Sequence, residues 1–374
     1  MKRRKIVITG GHLTPALAVI EELQKRGNWE IFYIGRKYTA EGDKKPSLES
    51  IVIQEKGLRF IPINFGRLQH KFTRYTLPAF LRIPWGFIFS FYHLARIKPD
   101  IILSFGSYVG VPVVISGWLL RIPAVIHEQT TVVGLGNKIS SFFAKKICIS
   151  WPETLDKFPK DKVVLTGNPL RSDIFKKENL SKFKLEFTEK KPLILITGGN
   201  QGSHRINVAV EGILEKLLSD YNLFHQVGHL AFFGDFERLS EKKKKLPTKL
   251  KNSYHLEKYV GGQRWISLLH KADLVVSRAG INTITELLAL GKPQLLIPIP
   301  WLPGDEQTKN AWMVKKNGLG EILFQEELTP KKLYQKIKMM MSQIDVYRKK
   351  VTQKKNLIMK NAAEKIINEL EKII

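Results

Sequence analysis

Thr197–Ser203 reads Thr-Gly-Gly-Asn-Gln-Gly-Ser and decides the fold of this 374-residue chain. The apolar run Leu193–Ile196 precedes it, and an amphipathic segment from Ile206 to Leu218 follows. This order predicts a strand, a glycine loop and the start of a helix. Such a junction directs backbone N–H groups and the positive end of a helix dipole towards one point, and glycines let an anion approach the backbone. Glycine-rich turns also occur where a helix only packs on a sheet, so the loop alone favours anion binding and packing equally.

The first half of the chain repeats this unit. The apolar run Lys5–Ile8, the loop Thr9–His12 and Pro15 predict a buried strand, a turn and the first turn of a helix that runs to about Arg26. Further apolar runs lie at 29–34, 101–104, 124–126 and 274–277. Strands that alternate with helices form parallel sheets, whose ligands bind outside the carboxyl ends of the strands. We therefore expect an α/β fold of the GT-B type, with two Rossmann-like doubly wound parallel-sheet domains that face a cleft.

The length of the chain suits two hydrophobic cores better than one. We place the division at Thr166–Pro169, after a predicted strand at Val163–Leu165. The expected domains are 1–166 and 167–345. The remaining basic amphipathic segment, 346–374, is expected to form a helix that packs back on the first domain.

The charge of the chain is strongly positive, with 61 lysines and arginines against 34 acidic residues and a formal net charge of +27. Such a field attracts nucleic acid, anionic lipid headgroups or phosphorylated substrates. The sequence has no recognised nucleic-acid reader motif, so we expect no nucleic acid as a partner. The single cysteine, Cys148, excludes an internal disulfide, and we expect it to be a packed core residue in a reducing, cytoplasmic setting. Neither an export signal nor a membrane span of roughly 20 apolar residues is predicted.

One segment, 67–96, concentrates aromatic and aliphatic residues among cations. An apolar surface that carries tryptophan and is ringed by cations suits the interface of an anionic membrane. For Phe87–Leu94 the favoured interpretation is a core helix with a basic outer face. Leu77–Trp85 contains two prolines and is harder to bury, so we place the membrane contact there. The predicted membrane residues are Arg74, Phe80, Leu81, Arg82 and Trp85.

Seven short motifs follow one another along nearly the whole chain. They are TGGH at 9–12 with PALA at 15–18, GSY at 106–108, HEQ at 127–129 with Gly134 and Asn137, GNPLR at 167–171, GGNQG at 198–202, RAG at 278–280 with Thr283 and Glu286, and DEQ at 305–307 with Asn310 and Ala311. Each motif alone is weakly specific. In this order they resemble the MurG family of peptidoglycan N-acetylglucosaminyltransferases, GT-B enzymes of glycosyltransferase family 28 that convert lipid I to lipid II.

The resemblance implies that the second domain binds UDP-N-acetylglucosamine (UDP-GlcNAc). Arg171 and the glycine loop would face the diphosphate, Glu286 would bond the ribose hydroxyls and Gln307 would bind the sugar. The full implied donor set is Arg171, Gly199, Asn200, Gln201, Gly202, Ser203, Val260, Thr283, Glu286 and Gln307. An arginine fork and helix N–H groups neutralise a leaving diphosphate. Without the resemblance, Glu286 is also explained as a helix N-terminal charge worth roughly 0.3–1 kcal/mol. The chain contains no Asp-x-Asp triplet, so we expect neither a metal nor a cofactor.

On the acceptor side, the resemblance implies a polyprenyl-diphosphate-linked muramoyl peptide. His12 is the first candidate general base, because imidazole has an ordinary pKa near 6.5, and Glu128 is the second. From the residue alone, a capping or packing role for His12 is the favoured alternative. The implied acceptor-binding residues are Gly10, Gly11, Ser107, Tyr108, Gln129 and Asn137.

The chain departs from the family pattern mainly on this acceptor side. The first glycine loop is about four residues shorter than the usual Gly-Gly-Gly-Thr-Gly-Gly-His, and Thr130 replaces the common asparagine. On the donor side, Asn200 replaces a serine. Three functions therefore stay open. The leading one is an inverting, metal-independent transfer of N-acetylglucosamine by a peripheral enzyme at the cytoplasmic face of the plasma membrane. The alternatives are another GT-B enzyme, such as a glycolipid glycosyltransferase or a UDP-sugar 2-epimerase, and a non-catalytic UDP-sugar-binding protein.

Overall fold

The computed structural model describes residues 3–38, 46–63, 81–176, 185, 187, 189–229, 231–354 and 358–374. Arg74 and Phe80 lie outside the described residues. The chain forms two compact units. Unit 1 comprises Met1–Arg171 and Met359–Ile374, and unit 2 comprises Ser172–Ile358.

Unit 1 contains a seven-stranded parallel sheet in the order β3-β2-β1-β4-β5-β6-β7. Its strands are β1 (Arg4–Thr9), β2 (Trp29–Arg36), β3 (Arg59–Ile63), β4 (Ile101–Ser104), β5 (Ala124–Glu128), β6 (Lys146–Ile149) and β7 (Val163–Leu165). Helices cover both faces: α1 (Leu13–Arg26), α2 (Leu48–Glu55), α3 (Ile83–Ile97), α4 (Ser107–Leu119) and α5 (Leu135–Ser140). Strands buried on both faces need nearly continuous apolar runs, and Ile6–Ile8 and Ile101–Leu103 are fully buried.

The last helix of the chain belongs to unit 1. Its apolar residues Ile366, Ile367 and Leu370 join the core cluster formed by β1 and α1. At its edge, Arg26 donates to Glu371 over 2.6 Å and to Asn368 over 2.8 Å. The basic segment predicted to end the chain is thus divided, because Ile344–Gln353 lies in unit 2 and Ala362–Glu371 in unit 1.

Unit 2 contains a six-stranded parallel sheet in the order β10-β9-β8-β11-β12-β13. Its strands are β8 (Leu193–Thr197), β9 (Asn222–Gln226), β10 (Tyr254–Glu257), β11 (Leu274–Ser277), β12 (Gln294–Leu296) and β13 (Gly320–Ile322). Its helices are α6 (His204–Glu211), α7 (Leu214–Asp220), α8 (Asp235–Lys245), α9 (Thr248–Lys251), α10 (Gly262–Lys271), α11 (Ile281–Leu290), α12 (Glu306–Lys316), α13 (Pro330–Ser342) and α14 (Ile344–Gln353). The helix that follows, α15 (Ala362–Glu371), belongs to unit 1. The two parallel sheets confirm the predicted doubly wound α/β architecture.

One predicted helix is divided in the structure. The amphipathic segment 206–218 forms α6 and α7, which are separated at Gly212–Ile213. A Cβ at Gly212 would lie 2.7 Å from the Pro330 ring. The break therefore depends on packing against α13, which lies more than 100 residues further along the sequence.

Two buried histidines make the stability of the protein pH-dependent. His127 contacts Gly167 O and Ser150 Oγ, and His225 contacts Tyr254 OH and Asn207 Oδ1, all over 3.0–3.2 Å. Burial lowers the pKa of each to about 4. The unfolded chain therefore takes up protons that the folded chain does not bind, so stability is complete above pH 6.5 and falls as the pH drops from 6.5 to 4.

As the pH falls from 6.5 to 4, we expect each of these histidines to lower the free energy of unfolding by roughly 3 kcal/mol, because one pKa unit corresponds to about 1.36 kcal/mol. His225→Gln keeps groups that can bond Asn207 and Tyr254 but does not titrate, so it should flatten the pH dependence of unit 2. Urea unfolding of the wild type and the variant at pH 7.5 and 5.0 measures this. An equal loss of unfolding free energy between pH 7.5 and 5.0 in both proteins would contradict the assignment of this pH dependence to His225.

Candidate active site

The glycine loop of unit 1 packs against the loop that follows β4. Gly10 has a φ of +129°, and a Cβ there would lie within 2.7–2.9 Å of the Phe105 backbone. A Cβ on Gly11 would lie 2.7 Å from the Ser107 side chain. Ser107 itself has a φ of +68°, a conformation that non-glycine residues adopt at a cost. The two loops are thus in backbone contact, and both implied acceptor glycines are required by that packing.

His12 lies between these loops and the end of β5. It precedes α1 as the cap residue, but its side chain makes no capping bond. Its Nδ1 lies 3.1 Å from Phe105 O and 2.8 Å from Gln129 Nε2. Hydrogen on Nδ1 lets His12 donate to the Phe105 carbonyl and keeps Nε2 as the basic nitrogen. This tautomer requires the Gln129 amide to turn its oxygen towards Nδ1, and that oxygen has no other hydrogen-bond partner within the described residues. Burial lowers the pKa of His12, against weaker opposing effects of the Phe105 bond and the Glu128 charge. His12 is therefore neutral near pH 7 and able to accept a proton.

Glu128, the second candidate base, is buried and accepts four hydrogen bonds. Its Oε1 accepts from Thr130 N over 3.1 Å and from Thr130 Oγ1 over 3.0 Å. Its Oε2 accepts from Gly134 N and Asn137 Nδ2, both over 3.0 Å. A carboxylate has about four lone-pair sites, so these donors satisfy it. The geometry favours a positioning role for Glu128 in the loop after β5, with Thr130 and Asn137 as its partners.

Sequence reasoning missed a cation at the same edge of the unit 1 sheet. Arg36 ends β2, and Glu49, which is 3% exposed, holds it through Arg36 N over 2.8 Å and Nε over 3.3 Å. Tyr108 also hydrogen-bonds the guanidinium, and the Arg36 charge helps to lower the pKa of His12. The signal in the sequence was a cation two residues after the mostly apolar run 29–34. The unit 1 edge thus brings together His12, Arg36, Tyr108 and Gln129.

In unit 2 the glycine loop forms as predicted between β8 and α6. Ser203 caps α6, Gly199 N donates to Thr197 Oγ1 over 3.0 Å, and Gly202 N donates to Gly199 O over 3.0 Å. Gly202 has a φ of +86°, and a Cβ there would lie 2.0 Å from Val227 O. Asn200 and Gln201 are exposed at the tip of the loop.

A second missed residue, Gln226, fixes this loop from beneath. Its Nε2 donates to Thr197 Oγ1 over 3.0 Å and to Gly199 O over 3.2 Å. Its Oε1 accepts from Val260 N over 3.0 Å. Val260, an implied donor residue, is thereby tied to the glycine loop. No local sequence pattern indicates this bridge, because it joins three separate strand ends.

Arg278 places a partly buried positive charge next to Ser203 at the end of the loop. The sequence identified it only as part of the RAG motif, without a role. It donates to Ser203 Oγ and Gln325 Oε1, each over 2.6 Å, and to Ile297 O and Pro298 O over 3.0 and 3.4 Å. Each of these four acceptors is neutral. Burial consequently lowers the pKa of Arg278 to about 10, which leaves it fully charged at pH 7. An anion beside Ser203 would lie next to an uncompensated cation.

The remaining implied donor residues lie on two helices of unit 2. Glu286 is 8% exposed on α11 and accepts from Trp265 Nε1 over 3.0 Å, while Thr283 is half-buried one turn earlier. Gln307 is 9% exposed in the first turn of α12, and its Oε1 accepts from Ile299 N over 3.0 Å. Arg171 is the exception, because it ends the first segment of unit 1 and does not belong to unit 2. Within the described residues, no group of three or more histidine, cysteine, aspartate or glutamate side chains is arranged to hold a metal ion.

The predicted membrane segment is described from Leu81 onwards. The expectation that Phe87–Leu94 packs in the core is wrong for most of its residues. Only Gly86, Ser90 and Leu94 are buried on α3, at a spacing of four residues, and Ser116 on α4 donates to Phe87 O over 3.3 Å. Two of these three buried residues are small, and most of the large residues of α3 face outwards. The exposed apolar residues, here called the α3 patch, are Leu81, Trp85, Ile88, Phe89, Phe91 and Tyr92. Every helix in the described part of the chain is too short or too polar to span a bilayer.

Two family models match the chain in order. The glycosyltransferase family 28 N-terminal domain matches residues 8–149, and the glycosyltransferase family 28 C-terminal domain matches residues 193–370. The chain belongs to glycosyltransferase family 28. This finding confirms the resemblance derived from the seven motifs, and it establishes the protein as a glycosyltransferase.

Curated relatives in family 28 match over nearly the whole chain. One from Bacillus cereus is 34% identical over 92% of this chain and 94% of its own. One from Clostridium botulinum is 36% identical over 92% and 93%, and one from Clostridium tetani is 33% identical over 99% and 98%. Each is named a UDP-N-acetylglucosamine–N-acetylmuramyl-(pentapeptide) pyrophosphoryl-undecaprenol N-acetylglucosamine transferase.

Solved structures agree at the level of the fold. Acinetobacter baumannii MurG superposes with a TM-score of 0.72 at 22% identity and 99% coverage of both chains. A UDP-GlcNAc 2-epimerase from Neisseria meningitidis superposes with a TM-score of 0.66 at 15% identity, over 99% and 100%. Neighbours this distant in sequence support the family 28 fold of both units and carry no information on substrate.

Proposed function

We propose that this protein transfers N-acetylglucosamine from UDP-GlcNAc to a polyprenyl-diphosphate-linked muramoyl peptide, the conversion of lipid I to lipid II in peptidoglycan synthesis. The sequence relatives support this choice, because all three act on that donor and acceptor by name and match over at least 92% of this chain. The observation that carries it in the structure is the edge of the unit 2 sheet. There the glycine loop, the partly buried Arg278 and the carboxylate of Glu286 present the groups that a nucleotide diphosphate sugar requires.

The reaction is a single displacement that inverts the anomeric carbon. A sugar hydroxyl of the acceptor attacks that carbon, the bond from the carbon to the UDP oxygen breaks, and the hydroxyl proton passes to His12 Nε2. UDP leaves with the electrons of the broken bond. The loop N–H groups, the α6 dipole and Arg278 stabilise the charge that develops on its diphosphate, with Arg171 as the further arginine that the family pattern assigns. Gln307 is the proposed sugar ligand, and Val260 and Thr283 complete the donor set.

The acceptor binds unit 1 in this proposal. The implied acceptor residues lie at the N-termini of two helices, Gly10 and Gly11 just before α1 and Ser107 and Tyr108 in the first turn of α4. Gln129 lies beside His12. The protein acts as a peripheral enzyme at the cytoplasmic face of the plasma membrane, because a lipid-linked acceptor stays at the bilayer.

A transfer assay tests the function and its independence of metal together. With radiolabelled UDP-GlcNAc and lipid I, we expect labelled lipid II, and EDTA should leave most of the turnover because Arg278 and the loop neutralise the diphosphate. A rate abolished by EDTA and restored by magnesium would contradict metal independence. Transfer only to another lipid would overturn the acceptor, and donor binding without transfer to any lipid would identify a non-catalytic protein.

The α3 patch is the proposed membrane contact. Trp85 and Ile88 are 55% and 54% exposed, and two exposed arginines lie at the ends of α3, Arg82 just before it and Arg96 in its last turn. Cations near an anionic surface contribute about 1 kcal/mol each, after which aromatic side chains insert. We therefore expect binding to vesicles that contain phosphatidylglycerol, and weaker binding as salt rises.

Replacing both Trp85 and Ile88 by serine should lower the vesicle partition coefficient at least tenfold, since each loses roughly 1.5–3 kcal/mol of apolar burial when fully inserted. Flotation measures the bound fraction. Trp301→Ser is the matched control, because Trp301 is 70% exposed and lies in unit 2. A folded double variant that floats as well as this control would place the docking surface elsewhere.

A further inference from the structure

The indole of Trp265 makes a partly buried polar contact that apolar packing alone does not require. Its ring packs against a core cluster that includes Val260, Leu268 and Phe224. Phenylalanine would supply aromatic packing at this position without a hydrogen-bond donor. The indole Nε1–H, however, donates to Glu286 Oε2 over 3.0 Å, between α10 and α11. An indole nitrogen only donates, so the direction of this bond is unambiguous.

The contact restricts the Glu286 carboxylate. Glutamate has three rotatable side-chain bonds, and holding one oxygen fixes the orientation of the whole group. A carboxylate has about four lone-pair sites, and the indole bond occupies one of them. The ring of Trp265 is itself wedged against the core, so the donor cannot follow a rotating carboxylate.

We propose that Trp265 is a positioning residue that fixes Glu286 for the two ribose hydroxyls of the donor nucleotide. The inference rests on the proposed function, which makes Glu286 the ribose ligand. It goes further by assigning the selectivity for ribose over deoxyribose to the pair. A preoriented carboxylate binds both hydroxyls without first losing rotational freedom. A ligand that lacks one hydroxyl therefore loses the full binding free energy of that hydrogen bond.

Trp265→Phe keeps the aromatic ring and removes the N–H. We expect the Kd for UDP to rise about 5- to 20-fold, which is less than the roughly 10- to 150-fold that full loss of a hydrogen bond to a charged group would give, because Glu286 itself stays in place. The Kd for 2′-deoxy-UDP should rise less, so the ratio of the two dissociation constants falls towards one. Glu286→Gln should abolish most of this selectivity, and Trp265→Phe in that background should add little. Calorimetry measures the dissociation constants of UDP and 2′-deoxy-UDP for the wild type and each variant.

Trp312→Phe is the matched control for loss of an indole in unit 2, and it should leave both dissociation constants unchanged. If Trp265→Phe fails to fold, Trp265→His replaces it, since imidazole keeps a ring N–H and should retain part of the selectivity. A folded Trp265→Phe that binds both nucleotides less tightly by the same factor would overturn the positioning role while leaving the proposed function intact. A wild-type protein that binds no UDP would overturn both.

Discussion

Replacing His12 by alanine is expected to lower kcat by about 10²–10⁴-fold, the usual contribution of a general base. Donor affinity should stay within about twofold, because His12 belongs to unit 1 and every proposed nucleotide-binding residue except Arg171 belongs to unit 2. Burial lowers the pKa of His12, and the basic form exists above that pKa. Activity should therefore be lost as the pH falls through a value below 6.5, and this acid limb should vanish in the variant. Initial rates from pH 5 to 8, with both substrates saturating, measure the two effects.

Glu128→Gln is the informative comparison for His12→Ala. Glu128 accepts bonds from Thr130, Gly134 and Asn137, so its replacement should disturb the loop after β5 and lower thermal stability as well as activity. Of the two variants, only Glu128→Gln is thus expected to lose stability as well as activity. A His12→Ala protein with near-normal kcat, beside a stable Glu128→Gln protein without activity, would transfer the role of base to Glu128.

The architecture follows from local patterns in the sequence, which explains why it was predictable. Apolar runs such as Leu193–Ile196, followed at once by glycines and an amphipathic segment, define a parallel strand and its helix without knowledge of distant residues. The same patterns place His12 and the Thr197–Ser203 loop at the carboxyl ends of strands, where α/β proteins bind ligands.

What the sequence did not predict depends on contacts between distant residues. α3 is mostly apolar in sequence, and the packing of Gly86, Ser90 and Leu94 against the protein is what turns its other large residues outwards. The roles of Arg36 and Trp265 likewise depend on partners 13 and 21 residues away. Spacing within a motif carries no information on such pairs, because tertiary packing decides which side chains meet.

Arg278 combines two functions that a substitution can separate. It supplies an uncompensated positive charge beside Ser203, and it satisfies Gln325 Oε1 and the carbonyls of Ile297 and Pro298. Methionine has a similar length but offers neither charge nor donors. Lysine keeps the charge on a single point and loses the planar fork.

We expect Arg278→Met to lower kcat/KM for UDP-GlcNAc at least about 100-fold, since losing a charge-assisted contact costs about 1.5–3 kcal/mol and each buried acceptor left unpaired about 1–3 kcal/mol. Arg278→Lys should retain an intermediate activity, because the diphosphate still meets a cation. The decisive comparison is between ligands: the Kd for UDP should rise strongly in Arg278→Met, whereas the Kd for uridine, which has no phosphate, should change little. Calorimetry with both ligands, at a temperature where the variant is folded by circular dichroism, separates the cases. Equal losses for uridine and UDP would mean that Arg278 only maintains the structure of unit 2, and the diphosphate would then depend on the loop N–H groups and the α6 dipole alone.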